Sequence, residues 1–253
     1  MAADLAQMFR RRLEPAERYG LRLTLVAVAL VLLAVPFSYL LLEVLRDGQL
    51  TRLDHDVAGS LHQWVVDRPG LVPAVKGVSL LGKPLWLALA VAGGSAFVYW
   101  RGRRRLAVYL VVTAISGGLV DTLVKVAVNR PRPVVDSPLA TGFGKSFPSG
   151  HAMSATVTYG ALLLVFLPAL PRRGRVVALL GTISLVLAIG ASRLMLGVHF
   201  VSDVVAGWTL GLAWLSGATA AFSIWRTDEG RGRVEVTEGV EPEAAGALIG
   251  ERR

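Results

Sequence analysis

Long apolar runs separated by short, arginine-rich breaks dominate the chain. A run of about 20 residues matches a bilayer core of about 30 Å. Six stretches meet or approach that length: Leu23 to Leu42, Pro84 to Trp100, Leu106 to Val128, His151 to Leu170, Val176 to Leu196 and Val201 to Trp225. The pattern predicts an all-α fold, an integral membrane bundle of six transmembrane helices. Between the first two spans, Leu53, Val57, Leu61, Trp64 and Val65 recur at helical spacing beside Arg52, Asp54 and Asp56. This predicts an amphipathic helix at the outer interface, read as a connector, with a lid or substrate-entry element as the alternative. His55 and His62, seven residues apart with no carboxylate arrangement, read as solvated surface histidines. After Trp225 the composition turns polar at Arg226-Thr227-Asp228-Glu229-Gly230. Three parts follow: a cytoplasmic segment over 1–22, a membrane domain over 23–225, and a disordered cytoplasmic tail over 226–253.

Composition agrees with a bilayer setting. The 253 residues are 53% hydrophobic and 18% charged, and mean hydropathy is +0.55, outside the range of a soluble domain of this length. Arg10, Arg11 and Arg12 precede the first run as in a secretory signal, but the run is too long and lacks a clean cleavage site, so a retained helix is expected. The absence of cysteine excludes disulfides, thiol nucleophiles and thiolate metal sites. The net charge of +9 collects in Arg10, Arg11, Arg12, Arg18 and Arg22, in Arg101, Arg103, Arg104 and Arg105, and in Arg172, Arg173 and Arg175. With six spans these groups share one side, which the positive-inside rule makes cytoplasmic along with both termini. The charge therefore reads as topology, and no nucleic-acid partner is implied. Pro36 is read as a kink accommodated by bundle packing. Gly93-Gly94, Gly117-Gly118, Gly207, Gly211 and Gly217 suit close helix packing. Trp86, Trp100, Tyr109 and Trp225 suit an aromatic belt.

Three polar clusters interrupt this pattern, and six spans would place all of them at the outer face. In the first, Lys125 stands one turn before the end of the third span, with Arg130 and Arg132 just outside and Pro131 and Pro133 stiffening the exit. A lysine within a span costs roughly 2.5 to 3.5 kcal/mol and turns toward a partner; Asp121, four residues earlier, provides one. In the second, Pro148-Ser149-Gly150-His151 opens an apolar helix. Ser149 suits the N-cap, Gly150 allows close approach, and the helix N-terminus favours an anion beside His151. In the third, Asp203 follows His199 by four residues, so its carboxylate can hold one imidazole nitrogen and leave the other basic. Arg193 adds a planar fork suited to phosphate oxygens.

The pattern Lys-x6-Arg-Pro, Pro-Ser-Gly-His and Ser-Arg-x5-His-x3-Asp, running from Lys125 to Asp203, resembles the type 2 phosphatidic acid phosphatase (PAP2) superfamily. The resemblance extends over about residues 20 to 225 and implies a membrane lipid phosphatase working without cofactor or metal. It implies His199 as nucleophile, Asp203 as the residue orienting it, and His151 as general acid and base. Lys125, Arg132, Ser149, Gly150 and Arg193 would hold the phosphate. The expected substrate is a lipid phosphate or diphosphate, with polyprenyl (undecaprenyl) diphosphate preferred, and phosphatidylglycerophosphate or phosphatidate as alternatives. The expected place is the plasma membrane with the site on the extracytoplasmic side, among membrane lipids. A lipid phosphotransferase, a non-enzymatic lipid transporter and a vanadium haloperoxidase are weaker alternatives, and oligomeric state is left open.

The topology is testable: a reporter fused after Arg226 should read cytoplasmic, and an extracytoplasmic readout would put the three clusters on the opposite side.

Overall fold

The computed structural model describes residues 34–46, 49–135, 137, 139–142, 144–228, 230, 234 and 238–250. The described elements are helical. They are α1 (Ala34–Leu45), α2 (Gln49–Val66), α3 (Val72–Leu80), α4 (Pro84–Trp100), α5 (Arg104–Val128), α6 (Gly150–Phe166), α7 (Arg172–Met195), α8 (Val201–Asp228) and a short α9 (Ala245–Ile249). Four of the described helices, α5 to α8, are long and apolar enough to cross a membrane, α6 with the 3-10 turn to Ala169. A fifth span forms if α3 and α4, with the 3-10 turn at Pro69–Leu71, count as one helix bent by 46°. The expected second span therefore gains a broken N-terminal half. Most of the expected first span lies outside the described residues, as does the segment over 1–22.

Helix α6 occupies the middle and packs against α4, α5, α7 and α8. Its sequence explains the position, because Ala152, Met153, Ala155, Val157, Ala161 and Val165 are buried around much of its circumference and a helix apolar on all sides belongs inside. The peripheral helices turn Leu119, Leu123, Val126, Val177, Leu180 and Ile183 outward, which is the cheap orientation where the solvent is lipid. Small residues set the α6–α8 contact: a Cβ on Gly207 would lie 2.7 Å from the Ser149 carbonyl oxygen, and one on Gly211 3.0 Å from that of Met153. Gly93, Gly118 and Gly217 face open space instead, so the expected close packing does not involve them. Tyr109 leaves the expected aromatic belt, being buried with its hydroxyl 2.8 Å from Thr219 Oγ1.

Helix α2 forms over the segment where the pattern predicts a helix, and of the apolar positions named there Val65 is buried. Leu53, Val57 and Trp64 are exposed, while Asp54, Ala58, His62 and Val65 are buried at four-, four- and three-residue spacing. The polar stripe faces the protein because its partners are there: the His62 ring nitrogens each lie 3.0 Å from a carbonyl oxygen, of Met195 and of Ser137. His62 is thus no surface residue, and the exposed His55 meets Phe200 in a tilted ring contact at 4.6 Å.

The end of the chain also differs from the disordered tail expected over 226–253. Val240, Ala244 and Leu248 join the core of Leu106, Leu110, Val165 and Phe222 at the bundle end remote from Gly150. The Val240 N–H donates to the Leu164 carbonyl at 3.1 Å. The buried Arg226 reaches Glu243 with both Nη atoms, at 3.1 and 2.8 Å. Three apolar side chains at four-residue spacing supply the burial that a polar average conceals.

Gly207→Ala should lower the unfolding temperature of the detergent-solubilised protein, because overpacking costs about 1–3 kcal/mol, whereas Gly217→Ala should be near neutral. Equal unfolding temperatures for the two variants would contradict the α6–α8 contact as the tight one.

Candidate active site

Two chain reversals, from α5 to α6 and from α7 to α8, bring the polar clusters to one end of the bundle. Helix α5 ends at Asn129, which takes a left-handed conformation (φ 56°) as the C-cap, a role asparagine fills at low cost. Pro131 and Pro133 prevent continuation, and the chain crosses the bundle end to Ser149, where α6 starts. Helix α7 ends at Met195, and Gly197 (φ 70°) turns the chain toward α8. A side chain on Gly197 would meet the ring of His62 at 2.8 Å, so α2 braces this turn.

The start of α8 places the histidine. Phe200 is the residue before the helix, and its N–H donates to Asp203 Oδ2 at 2.9 Å. Asp203 thereby closes the helix N-terminus as the acidic member of a capping box does. The same oxygen lies 3.3 Å from His199 Nδ1. Arg132 Nη1 lies 3.1 Å from His199 Nε2. A guanidinium can only donate, so Nε2 is the accepting, unprotonated nitrogen and Nδ1 carries the proton toward Asp203. Burial pushes the His199 imidazole down from 6.5 to about 4, with the Asp203 hydrogen bond opposing and Arg132 and Arg193 assisting. A neutral ring follows at neutral pH, with the Nε2 lone pair turned to the Arg132 N–H.

Around this ring the other expected residues assemble. Arg132 is fixed by the carbonyls of Val198 (2.8 Å), Gly144 (3.1 Å) and Lys145 (3.2 Å), and its stem crosses Gly142 with no room for a Cβ. Burial pushes its guanidinium down from its ordinary value, and Asp203 acts in the opposite direction. Lys125 donates to Asp121 at 2.5 Å, as its spacing implies, and to the Pro148 carbonyl at 2.7 Å. Its Nζ lies 3.1 Å from where a Gly150 side chain would begin, so glycine keeps the cation against the start of α6. Arg193 donates from Nη1 to Ser79 Oγ at 2.6 Å. The charges of Arg193, His199, Lys83 and Arg132 all act on His151, and Gly82 packs against its ring.

Ser149 departs from the expectation in one detail. It holds the N-cap position but makes no side-chain capping bond. Its Oγ, His151 Nε2 and Arg193 Nε are buried polar atoms with no hydrogen-bond partner among the described residues. A hydroxyl, an imidazole nitrogen and a guanidinium N–H beside two further cations form a receptor for a tetrahedral oxyanion.

Sequence reasoning missed a second tier behind this receptor. Ser146 is completely buried, donates to Asp203 Oδ2, and lies 3.5 Å from His199 Nδ1. Arg130 Nη1 donates to Asp203 Oδ1 and to Ser202 Oγ, both at 2.7 Å, and its Nη2 to Asp54 Oδ2 at 3.0 Å. Arg130 stood in view as a cation beside Arg132, but no spacing ties it to Asp54, which is 76 residues away.

A membrane helical bundle with a cation-lined, histidine-bearing oxyanion site defines a membrane phosphatase. The PAP2 superfamily model matches residues 105–226. Phosphatidylglycerophosphatase B of Bacillus subtilis is 33% identical over 165 residues, covering 62% of this chain and 78% of the relative. Decaprenylphosphoryl-5-phosphoribose phosphatase of Mycobacterium tuberculosis is 36% identical over 154 residues, 58% of this chain and 78% of the relative. A crystal structure of a transmembrane PAP2-type phosphatidylglycerolphosphate phosphatase from Bacillus subtilis matches with a TM-score of 0.69 and 25% identity, over 81% of this chain and 98% of that one. The chain belongs to the PAP2 superfamily.

In histidine-resolved ¹⁵N spectra of the labelled protein the His199 ring should stay neutral down to about pH 5.5, where a free imidazole is already mostly protonated. A ring half-protonated near pH 6.5 would contradict the burial that sets its state.

Proposed function

We propose that the protein hydrolyses a lipid phosphate or diphosphate at the extracytoplasmic leaflet through a phosphohistidine intermediate, without a metal. The arrangement that carries this reading is the His199 ring, with Nδ1 on Asp203 and Nε2 beside Arg132, at the same bundle end as the unpartnered Ser149, His151 and Arg193 atoms. His199 Nε2 attacks phosphorus, the bond to the leaving oxygen breaks, and His151, entering the step as imidazolium, delivers a proton to that oxygen and is left neutral. The positive charge that develops on the His199 ring is stabilised by Asp203 through Nδ1–H. In the second half His151 takes a proton from water, whose oxygen attacks phosphorus and releases phosphate and neutral His199. Lys125, Arg132, Ser149, the Gly150 N–H and Arg193 hold the non-bridging oxygens. A loose phosphoryl transition state asks mainly for positioning and positive potential, which these donors supply.

The surroundings support a lipid substrate. An open groove of about 380 Å³ between α6 and α7 is lined by Tyr159, Leu162, Leu163, Phe166, Gly181 and Leu185. Tyr159 lies two turns below His151, and its hydroxyl donates to the Leu81 carbonyl at 2.8 Å, next to the Gly82 that touches His151. A phosphorylated head at the bundle end and an apolar chain along this groove fit one amphipathic molecule. Polyprenyl diphosphate is the preferred substrate for an outward-facing site. Phosphatidylglycerophosphate is the second reading, favoured by the names of the Bacillus relative and of the similar solved structure.

His199→Ala should reduce phosphate release in detergent by more than about a thousandfold, the loss typical of a removed nucleophile, and EDTA should leave wild-type turnover intact. Retained turnover in the variant, or a loss in EDTA that Mg²⁺ restores, would reject the mechanism. A panel of polyprenyl diphosphate, phosphatidylglycerophosphate and phosphatidate ranks the substrates by kcat/KM.

A further inference from the structure

Helix α2 and Arg130 touch no phosphate ligand in the mechanism above, yet both reach the carboxylate that orients the nucleophile. We propose that Arg130, held by Asp54 of α2, is a positioning residue that fixes the Asp203 carboxylate and offsets its charge, so that Asp203 aims the His199 ring without holding a second proton on it. The inference rests on His199 being the nucleophile.

The geometry divides the Asp203 carboxylate into two halves. Oδ2 faces the reaction, taking His199 Nδ1, the Phe200 N–H and the Ser146 hydroxyl. Oδ1 faces away from it and takes Arg130 at 2.7 Å. With both oxygens engaged, the carboxylate cannot rotate without breaking a charge-assisted bond, and the His199 ring plane is fixed with it. Arg130 is itself over-determined. It is buried, lies 4.3 Å from the Phe200 ring centroid, and shares Asp54 with Ser202, whose N–H donates to Asp54 Oδ1 at 2.8 Å and whose hydroxyl donates to Oδ2. Arg130, Asp54 and Ser202 thus lock α2, the loop after α5 and the first turn of α8 around one carboxylate.

The charges in this relay make the role separable from plain scaffolding. Asp54, Arg130 and Asp203 alternate in sign along it. Removing the Arg130 cation leaves two buried anions near His199 and favours its protonated form. Removing the Asp54 anion leaves Arg130 less compensated and disfavours that form. The other charged or titratable groups that face this region are Arg132 from the loop, Arg193 from α7, His151 from α6, Lys125 from α5, His62 from α2 and Lys83 before α4; the variants leave all of them in place.

The experiment uses full-length Arg130→Gln, Arg130→Lys, Asp54→Asn and His199→Ala in detergent, with the panel lipid that the wild type turns over fastest, and ¹⁵N titration of the His199 ring. Arg130→Gln should lower kcat by about a hundredfold with KM within about threefold, and raise the His199 midpoint by about one pH unit. Arg130→Lys should recover most of the rate, and Asp54→Asn should leave the midpoint at or below the wild-type value. An unmoved midpoint in Arg130→Gln, or a rise in Asp54→Asn, overturns the proposal. Should Arg130→Gln fail to fold, the rate and midpoint of Arg130→Lys and the sign in Asp54→Asn still decide it. Turnover that survives His199→Ala removes the nucleophile reading and this inference together, whereas an inactive His199→Ala beside an unaffected Arg130→Gln overturns this inference alone.

Discussion

One buried carboxylate organises the active end of the molecule. Asp203 is wholly enclosed, and its two oxygens meet an imidazole, a backbone N–H, a hydroxyl and a guanidinium. Withdrawing a carboxylate from water costs several kcal/mol unless such partners surround it, and removing one partner of a buried pair typically costs 3 to 5 kcal/mol. The donors come from two stretches of chain, the loop after α5 and the turn before α8, and Asp54 of α2 holds Arg130 in turn, so satisfying Asp203 requires all three to be in place together. The Ser149 N–H, which donates to the Asp203 backbone carbonyl at 2.9 Å, ties the start of α6 to the same point. Assembly of the site and satisfaction of one charge are the same event.

The bilayer decides how the rest of the chain serves that end. Where lipid is the solvent, exposed leucine and valine cost little and polar atoms must find partners inside. Helix α2 obeys this rule with Asp54 and His62 inward and Leu53, Val57 and Trp64 outward. The same rule lets glycine bring α6 and α8 together, because packing, with no water to expel, is what holds helices in lipid. Close approach at Gly207 is what sets Ser149 beside α8, so a contact in the apolar part of the bundle positions a donor in the polar part.

Much of the reactive tier was legible in the sequence, because its chemistry is written in short spacings. Four residues separate His199 from Asp203 and Asp121 from Lys125, and each pair meets as one helical turn requires. Four successive helices long enough to span were legible for the same reason: apolar length is a local property. The holding tier was not. Asp54, Ser146 and Ser202 carry no local signal, and their partners are distant in sequence, joined only by the packing of the bundle. The buried face of α2 was not legible because amphipathicity says which residues share a face and is silent on which face meets the protein. The tail was misread because its average polarity hid three apolar positions, and the arginines at the far end of the bundle offered partners to Glu241 and Glu243 that composition does not show.

Satisfied and unsatisfied polar atoms divide the site into parts that hold and parts that act. Asp203, Arg130, Asp54 and His62 have hydrogen-bond partners on their polar groups, which makes them rigid. Ser149 Oγ, His151 Nε2 and Arg193 Nε are buried without such partners among the described residues, a condition that costs about 1–3 kcal/mol per group in an ordinary interior. In the proposed reading, a fold that accepts this cost at three atoms of one polar end has placed donors ahead of the charge they would meet. That would be the economy of electrostatic preorganisation under the proposed mechanism: the donors would not need to reorient when negative charge arrives on phosphate oxygens, because the second tier already holds their neighbours. Rigidity in Asp203 and want of partners in Ser149, His151 and Arg193 are therefore two halves of one design.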